Sequence, residues 1–411
     1  MSRNAVKVLY RLSRSGFKGY LVGGSVRDLL LGRTPKDYDA GTDASPPQIR
    51  RLFRNSRIIG RRFRLAHIFF HDGIIEVATF RRQPKPEEQA SAPDELLITS
   101  DNTFGTPQED AFRRDFTINA LFYNIADFTV IDYVGGIQDL ERQLIRCIGE
   151  PAVRFQEDPV RMMRACEFAA RLGFGIEDAT QEAMLAHRQE LQKASPARLT
   201  EELIQLLSCG HAGAAIQWML DLGLLEVLLP EVQSMLSGTR PEFGELSRIL
   251  PVLDGCVRDK NRPADGTLLA AMLLPDVLVR RAEREERSGK LMSRAAVDRL
   301  VEKATTPFFQ RFALSNARAQ AVLGALSGFQ RLCEPRWNDN SRRRFASRKY
   351  FPEALALFEI MVKATDEGHE ALETWRQVDR LPRDSRATPP ARRRRRRRRT
   401  RRGSKSRQES V

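Results

Sequence analysis

The stretch Tyr20–Asp39, YLVGGSVRDLLLGRTPKDYD, decides how this chain is read. It reads as strand, glycine turn, short helix, basic turn and strand. Tyr20, Leu21 and Val22 form an apolar run that stops at Gly23-Gly24. Paired glycines let a backbone turn sharply and be approached closely. A helix starting at Gly24 or Ser25 carries Val26, Leu29 and Leu30 on its apolar side, and Gly32 closes it. The free N–H groups at such a start form an anion site, and Arg27 adds positive charge there. Lys36-Asp37-Tyr38-Asp39 follows. In a strand, residues two apart face the same way, so Asp37 and Asp39 project together and repel unless a cation stands between them. A divalent metal beside a phosphate-binding turn points to phosphoryl transfer. Alone, a double glycine is usually a turn and Asp-x-Asp a solvated loop. Their order within one strand–helix–strand unit is what carries the signal.

The 411 residues allow two or three domains, and 41% hydrophobic content supports real cores. Cys147, Cys166, Cys209, Cys256 and Cys333 are an odd, scattered set without a CxxC pair. They argue for a reducing, cytoplasmic setting and against a disulfide framework or zinc ribbon. The longest apolar run, Leu268–Leu278, is broken by Pro275 and Asp276, so no membrane span is expected. No secretory signal is read at the N-terminus. Of the net charge of +15, residues 379–411 supply +12 through fifteen Lys/Arg and three Asp/Glu. The basicity is mostly an appendage, and its composition predicts disorder and non-specific polyanion binding through Arg392–Arg399.

Residues 1–19 read as an amphipathic helix, and Pro46-Pro47 starts another. Ile58–Phe70 reads as two strand edges around a basic bend at Arg61-Arg62-Phe63-Arg64, with His67 in a structural role. Asp72-Gly73 signals a hairpin. In the following strand, Glu76 is a carboxylate within an apolar run, which is costly unless a cation or donor meets it. A water-facing edge residue is the plain reading. Beside the Asp pair, a third metal-site carboxylate is the better one. Residues 82–111 read as a mobile loop, and Arg113-Arg114-Asp115-Phe116-Thr117-Ile118-Asn119 as the start of a helix. Asp115 there is an N-cap or, with Arg114 and Asn119, part of a cluster suited to ribose or triphosphate. Asp132–Gly136 reads as closing a last hairpin of the mixed sheet. From Ile145 on the pattern is helical. Asp158 and Pro159 suit a helix start, placing Asp158, Arg161 and Arg164 on one face. An acceptor beside a donor matches the edge of adenine or cytosine and rejects guanine or uracil. No catalytic set is visible in residues 180–375.

In order and spacing, GGSVRD, PKDYD, IEVATF, RRDFTINALFY and EDPVRMMRA resemble the class II tRNA nucleotidyltransferase/poly(A) polymerase family. The resemblance is strong over residues 18–175 and fades through the helical part. The basic bend and the basic tail resemble the bacterial polyadenylating branch more than the CCA-adding one. The resemblance implies an α+β chain: a mixed-sheet nucleotidyltransferase head (1–144), a helical neck with the base reader (145–208), a helical RNA-binding body and tail (209–376) and a disordered basic C-terminus (377–411). It implies AMP transfer from ATP to RNA 3′ ends in the cytoplasm, without a template, with RNA-decay proteins as possible partners. Asp37 and Asp39 would hold two Mg²⁺ ions, with Glu76 or Asp115 as the third carboxylate, Asp115 also standing as a catalytic acid in its own right. Gly23, Gly24 and Arg27 would cradle the triphosphate, Arg114 and Asn119 would contact phosphate or ribose, and Asp158, Arg161 and Arg164 would read and stack the base. The competing readings are a CCA-adding enzyme, a non-catalytic RNA-binding protein and a nucleotide-dependent transferase acting on another substrate.

Overall fold

The computed structural model describes residues 1–60, 64–83, 103–237, 245–334 and 337–380. The tip of the basic bend (61–63), most of the stretch expected to be a mobile loop (84–102) and the Arg-rich run lie outside the described residues.

The head begins with α1 (Arg3–Arg14), then β1 (Gly19–Val22), α2 (Gly24–Leu30), β2 (Asp39–Thr42), α3 (Pro46–Leu52), β3 (Ser56–Ile59), β4 (Leu65–Phe70) and β5 (Gly73–Thr79). After α4 (Pro107–Phe112) come β6 (Leu121–Asn124), β7 (Thr129–Asp132) and α5 (Gly136–Glu141). The seven strands form one mixed sheet in the order β3-β4-β5-β2-β1-β6-β7, with β2 and β5 parallel and every other pair antiparallel. Register sorts the side chains into two faces. Leu21, Ala40, Val77 and Ala66 lie in one cross-strand row and pack under α1 and α3 through Val8, Leu9, Leu12 and Ile49. The adjacent row runs Phe122, Val22, Asp39, Glu76 and His67, so the polar members of the sheet meet on the opposite face.

Then come β8 (Leu144–Ile145), α6 (Pro151–Glu157), α7 (Arg161–Leu172), β9 (Gly175–Ile176), α8 (Asp178–His187) and α9 (Pro196–Leu207), and helices α10 to α19 continue to Arg380. They share a large apolar core that also takes in Phe116 and Ile118 of the head. The arrangement is the α+β one expected, with the mixed sheet first and helices after it.

Three local expectations are corrected. Only Asp39 of the Asp-x-Asp pair lies in β2, and Asp37 precedes the strand. Arg113–Phe122 is not a helix but a loop, a single 3₁₀ turn at Thr117–Asn119 and the start of β6. Phe122 pairs with Val22, so sheet pairing overrides an apolar spacing that is also compatible with helix. The last hairpin, β6–β7, closes at Asp132, whose carboxylate then accepts the N–H groups of Val134, Gly135, Gly136 and Ile137 and opens α5. Asp158 closes α6 rather than capping the next helix, which begins at Arg161.

Candidate active site

A cleft of about 580 Å³ opens between the sheet's polar face and helices α7 and α9. Its volume is in the range of small-molecule sites. Gly23, Gly24, Asp37, Asp39, Arg114 and Asn119 line it from the head, and Asp158, Arg161, Arg164, Arg198, Glu202 and Gln205 from the helices. All but one of the expected site residues therefore meet around one space. The exception is Glu76, which stands one strand beyond Asp39.

The glycine turn is built for close approach. Gly23 has φ +67°, and a Cβ there would lie 2.9 Å from Nη1 of Arg114. Gly23→Ala is expected to cost about 1–3 kcal/mol in backbone strain and to displace Arg114. A nucleotide-binding titration should read this as weakened affinity, whereas Gly32→Ala, with an open surround, should leave nucleotide affinity unchanged.

Asp39 is a strongly perturbed carboxylate of the head. Burial first, then Glu76 and Asp37, push it up to about 6, against the opposing pull of Arg114. Glu76 pairs with Asp39 in the sheet register, and its Oε1 lies 3.2 Å from His67 Nε2, which gives His67 its structural role. Among the described residues, no three His, Cys, Asp or Glu side chains close into a cage for a metal. The donor chemistry fits a cation of another kind: Mg²⁺ keeps several waters and takes one or two carboxylates together with substrate phosphates. Asp37 and Asp39, beside the glycine turn, are such a pair.

Arg27, expected to face the triphosphate, is 2% exposed and built into the wall. It donates to the Asp28 carboxylate and to Oδ1 of Asn119, at 2.5 Å for the latter. The Asn119 amide donates to Asp115 Oδ1 at 3.2 Å. The other Asp115 oxygen accepts from Nε of Arg164 at 2.8 Å, and Arg164 Nη1 reaches Glu202 at 3.5 Å. A polar chain thus runs from α2 through the head loop to α7 and α9. Burial opposes the charge on Asp115, but Arg164, Asn119 and the Phe116 N–H outweigh it and hold its pKa below the ordinary value. Each Asp115 oxygen thus accepts a hydrogen bond, from Asn119 and from Arg164. Arg114 is tied to Asp110 and to the Asn119 carbonyl and lies over the Phe122 ring.

On the helical wall, Asp158 receives both terminal nitrogens of Arg198 and lies 3.9 Å from Nε of Arg161. Arg161 is buried and donates to the Arg154 carbonyl at 3.0 Å. Arg154 in turn donates to the carbonyls of both Arg113 and Arg114 at 2.7 Å, joining α6 to the head loop. Phe168 is surrounded by the guanidinium groups of Arg27, Arg164 and Arg171 at 5.1–5.3 Å. Sequence reasoning missed Arg198, Glu202, Gln205 and Arg154. The first three recur at helical spacing beside Leu199, Leu203 and Leu206, but a polar stripe of that kind looks like any solvated helix face.

Residues 19–146 match the poly A polymerase head domain, and residues 173–236 match the probable RNA and SrmB-binding site of polymerase A. The chain is 46% identical over 278 residues to poly(A) polymerase I of Salmonella typhi, covering 66% of this chain and 60% of that protein. It is 39% identical over 226 residues to the CCA-adding enzyme of Bacillus pumilus, covering 55% and 54%. The chain therefore spans about three fifths of the length of the first of these relatives. The crystal structure of the Bacillus stearothermophilus CCA-adding enzyme in complex with CTP superposes with a TM-score of 0.67 at 24% identity, covering 92% of this chain and 82% of that one. At that identity the likeness speaks for the fold. The matched head, the matched RNA-binding region beyond it and the identity across both place this chain in the poly(A) polymerase/tRNA nucleotidyltransferase family.

Proposed function

We propose that the chain is a template-independent poly(A) polymerase that transfers AMP from ATP to RNA 3′ ends and releases pyrophosphate. The observation that carries this reading is the placement of Asp37 and Asp39 beside the Gly23-Gly24 turn, across one cleft from Asp158, Arg161 and Arg164. The higher identity to a poly(A) polymerase than to a CCA-adding relative supports A addition over CCA addition. In this reading residues 1–144 carry the chemistry, 145–208 read the base, 209–376 hold RNA and 377–411 add charge. The proposed setting is the cytoplasm, in keeping with the free cysteines. Among the described residues no helix is long and apolar enough to cross a membrane.

Asp37 and Asp39 would hold Mg²⁺, which when bound lowers the pKa of the primer 3′-hydroxyl and offsets charge on the leaving pyrophosphate. Glu76 adds negative potential one strand away. The 3′-oxygen forms a bond to the α-phosphorus as the bond to the bridging oxygen of the β-phosphate breaks, with the two oxygens in line. Gly23 and Gly24 admit the triphosphate close to the backbone, and Arg114 supplies charge beside them. Arg27 and Asn119 fix the wall behind it. Asp158 accepts from the exocyclic amine of adenine and Arg161 donates to the neighbouring ring nitrogen. Arg198 holds Asp158 in place, and each carboxylate oxygen keeps a second lone pair for the base.

The test is extension of an oligo(A) primer and of a tRNA lacking its 3′ end, with each nucleotide alone and with ATP plus CTP. Long A-only tails on oligo(A) support the reading. Addition of C, C and A to the tRNA followed by arrest replaces it with CCA addition. A second expectation concerns the tail. Removing residues 382–411 should weaken RNA binding and flatten its salt dependence, by about 0.7 in the log–log slope for each single-strand phosphate that the tail had neutralised. An unchanged slope would place the tail off the RNA.

A further inference from the structure

The outer surface of α1 and α3 lies on the side of the sheet away from the carboxylate cleft. Arg3, Lys7, Arg11 and Arg14 are exposed along α1, which contains no acidic residue. Arg50 and Arg51 are exposed on α3, and Arg54 and Arg57 follow it. The two helices are joined by Arg11, whose guanidinium sits 5.3 Å from the Phe53 ring. Among the described residues, none of these cations forms an ion pair with a carboxylate. Arg50 is partly used, donating to the carbonyls of Arg54 and Ser56. Elsewhere the chain neutralises its arginines locally, as α14 (Asp265–Ser288) does with Arg280 on Asp276, Arg281 on Glu285 and Arg287 on Glu283. The α1 and α3 surface is basic and makes no ion pair, and the carboxylate nearest to it, Asp72, is held by Asn4 and faces Lys7.

Tyr10 stands among these charges, exposed, with Arg14 at 5.7 Å from its ring. It helps line a shallow groove of about 390 Å³ with Val6, Lys7, Arg11 and Arg14. Unpaired cations flanking an exposed aromatic are the elements that hold single-stranded nucleic acid, by phosphate contacts and base stacking. A lipid surface fits less well. A membrane-lying helix needs its apolar face free, whereas Val8, Leu9 and Leu12 are fully buried against the sheet.

We propose that the outer face of α1 and α3 binds the backbone of single-stranded RNA, as a second contact surface separate from the cleft. The inference rests on RNA being the substrate. A 12-residue helix is about 18 Å long, enough to follow a few successive phosphates of a single strand. The surface would engage RNA that extends beyond the cleft and act on long substrates only.

The test uses the full chain and a variant carrying Arg3→Gln, Lys7→Gln, Arg14→Gln and Arg51→Gln, all exposed positions outside the core. Fluorescence anisotropy is measured without nucleotide, on unstructured RNAs of about six and about thirty nucleotides, between about 50 and 200 mM salt. The expected result is an affinity for the longer RNA about tenfold lower, with a log–log salt slope shallower by about two. Affinity for the short RNA, and its extension with ATP, should not change. Tyr10→Ser with the charges intact should weaken long-RNA binding about fivefold at an unchanged slope. An unchanged long-RNA affinity and slope in the four-fold variant overturns the proposal. So does an equal loss on the short RNA, or a loss confined to co-sedimentation with anionic vesicles, which would assign the face to a lipid surface. A chain that extends no RNA yet shows the charge-dependent long-RNA term removes the polymerase reading and leaves this inference in place.

Discussion

Replacing Asp39 with asparagine is expected to reduce nucleotidyl transfer by at least about 10³-fold, the scale on which a preorganised charge at a reacting phosphorus acts. The fold should survive and gain stability. Burial, Glu76 and Asp37 push Asp39 up to about 6 from 3.8. Its ionised form therefore destabilises the native state by on the order of 2–3 kcal/mol. The sign follows from proton counts. Between about pH 4 and 6 the native state holds a proton that the unfolded chain has released, so stability falls as pH rises through that window and is flat above it. The asparagine variant should lack this fall. Added Mg²⁺ should raise the Tm of the unsubstituted protein more at pH 7.5 than at pH 5, where protons compete for the same carboxylate, and should do little for the variant. Thermal melts at the two pH values, with and without Mg²⁺, check the electrostatics, and a single-turnover extension assay checks the chemistry. Normal extension by Asp39→Asn would remove the proposed metal site.

The second large effect is expected at Asp115. Asp115→Ala takes the acceptor from Arg164 and Asn119 together. Removing one partner of a buried ion pair leaves the other uncompensated. Arg164 is about a third exposed, so solvent screening reduces the loss, giving about 2–3 kcal/mol and a Tm drop of about 5 °C. Activity should fall about a hundredfold further than stability accounts for, because Asn119 and Arg164 are released on opposite sides of the cleft and small misplacements are costly. Asp115→Asn, which keeps an acceptor for Asn119 but loses the charge facing Arg164, should be intermediate in both readouts. Equal Tm and kcat/KM for all three proteins would show that the polar chain does not order the cleft.

The local half of the cleft was legible in the sequence because its residues are close along the chain. A strand ending at a double glycine and a carboxylate pair after the next turn announce themselves within twenty residues. The other half was legible by residue type but not by partner. Asp158 was expected to work with Arg161 three residues on, yet its bidentate partner is Arg198, forty residues away on α9. Asp110, which receives both Arg113 and Arg114, was passed over because one acid among several in a Pro- and Glu-rich stretch carries no pattern. Phe116–Phe122 looked helical because strand β6 contributes only four residues, too few for alternation to show against apolar neighbours. The α+β order itself followed from the switch to helical spacing after Ile145.

The polar chain from Arg27 through Asn119, Asp115 and Arg164 to Glu202 also bears on how such a protein changes over generations. Substitutions at its members are expected to be strongly epistatic, since each altered link changes the charge balance seen by the next. A single replacement near the helical wall is expected to disturb Arg27, beside the glycine turn, at the far end. Divergence in nucleotide preference should therefore favour compensated pairs, such as acid and arginine exchanged together, and should proceed more freely at Gln205, which lines the same cleft but is not one of the links.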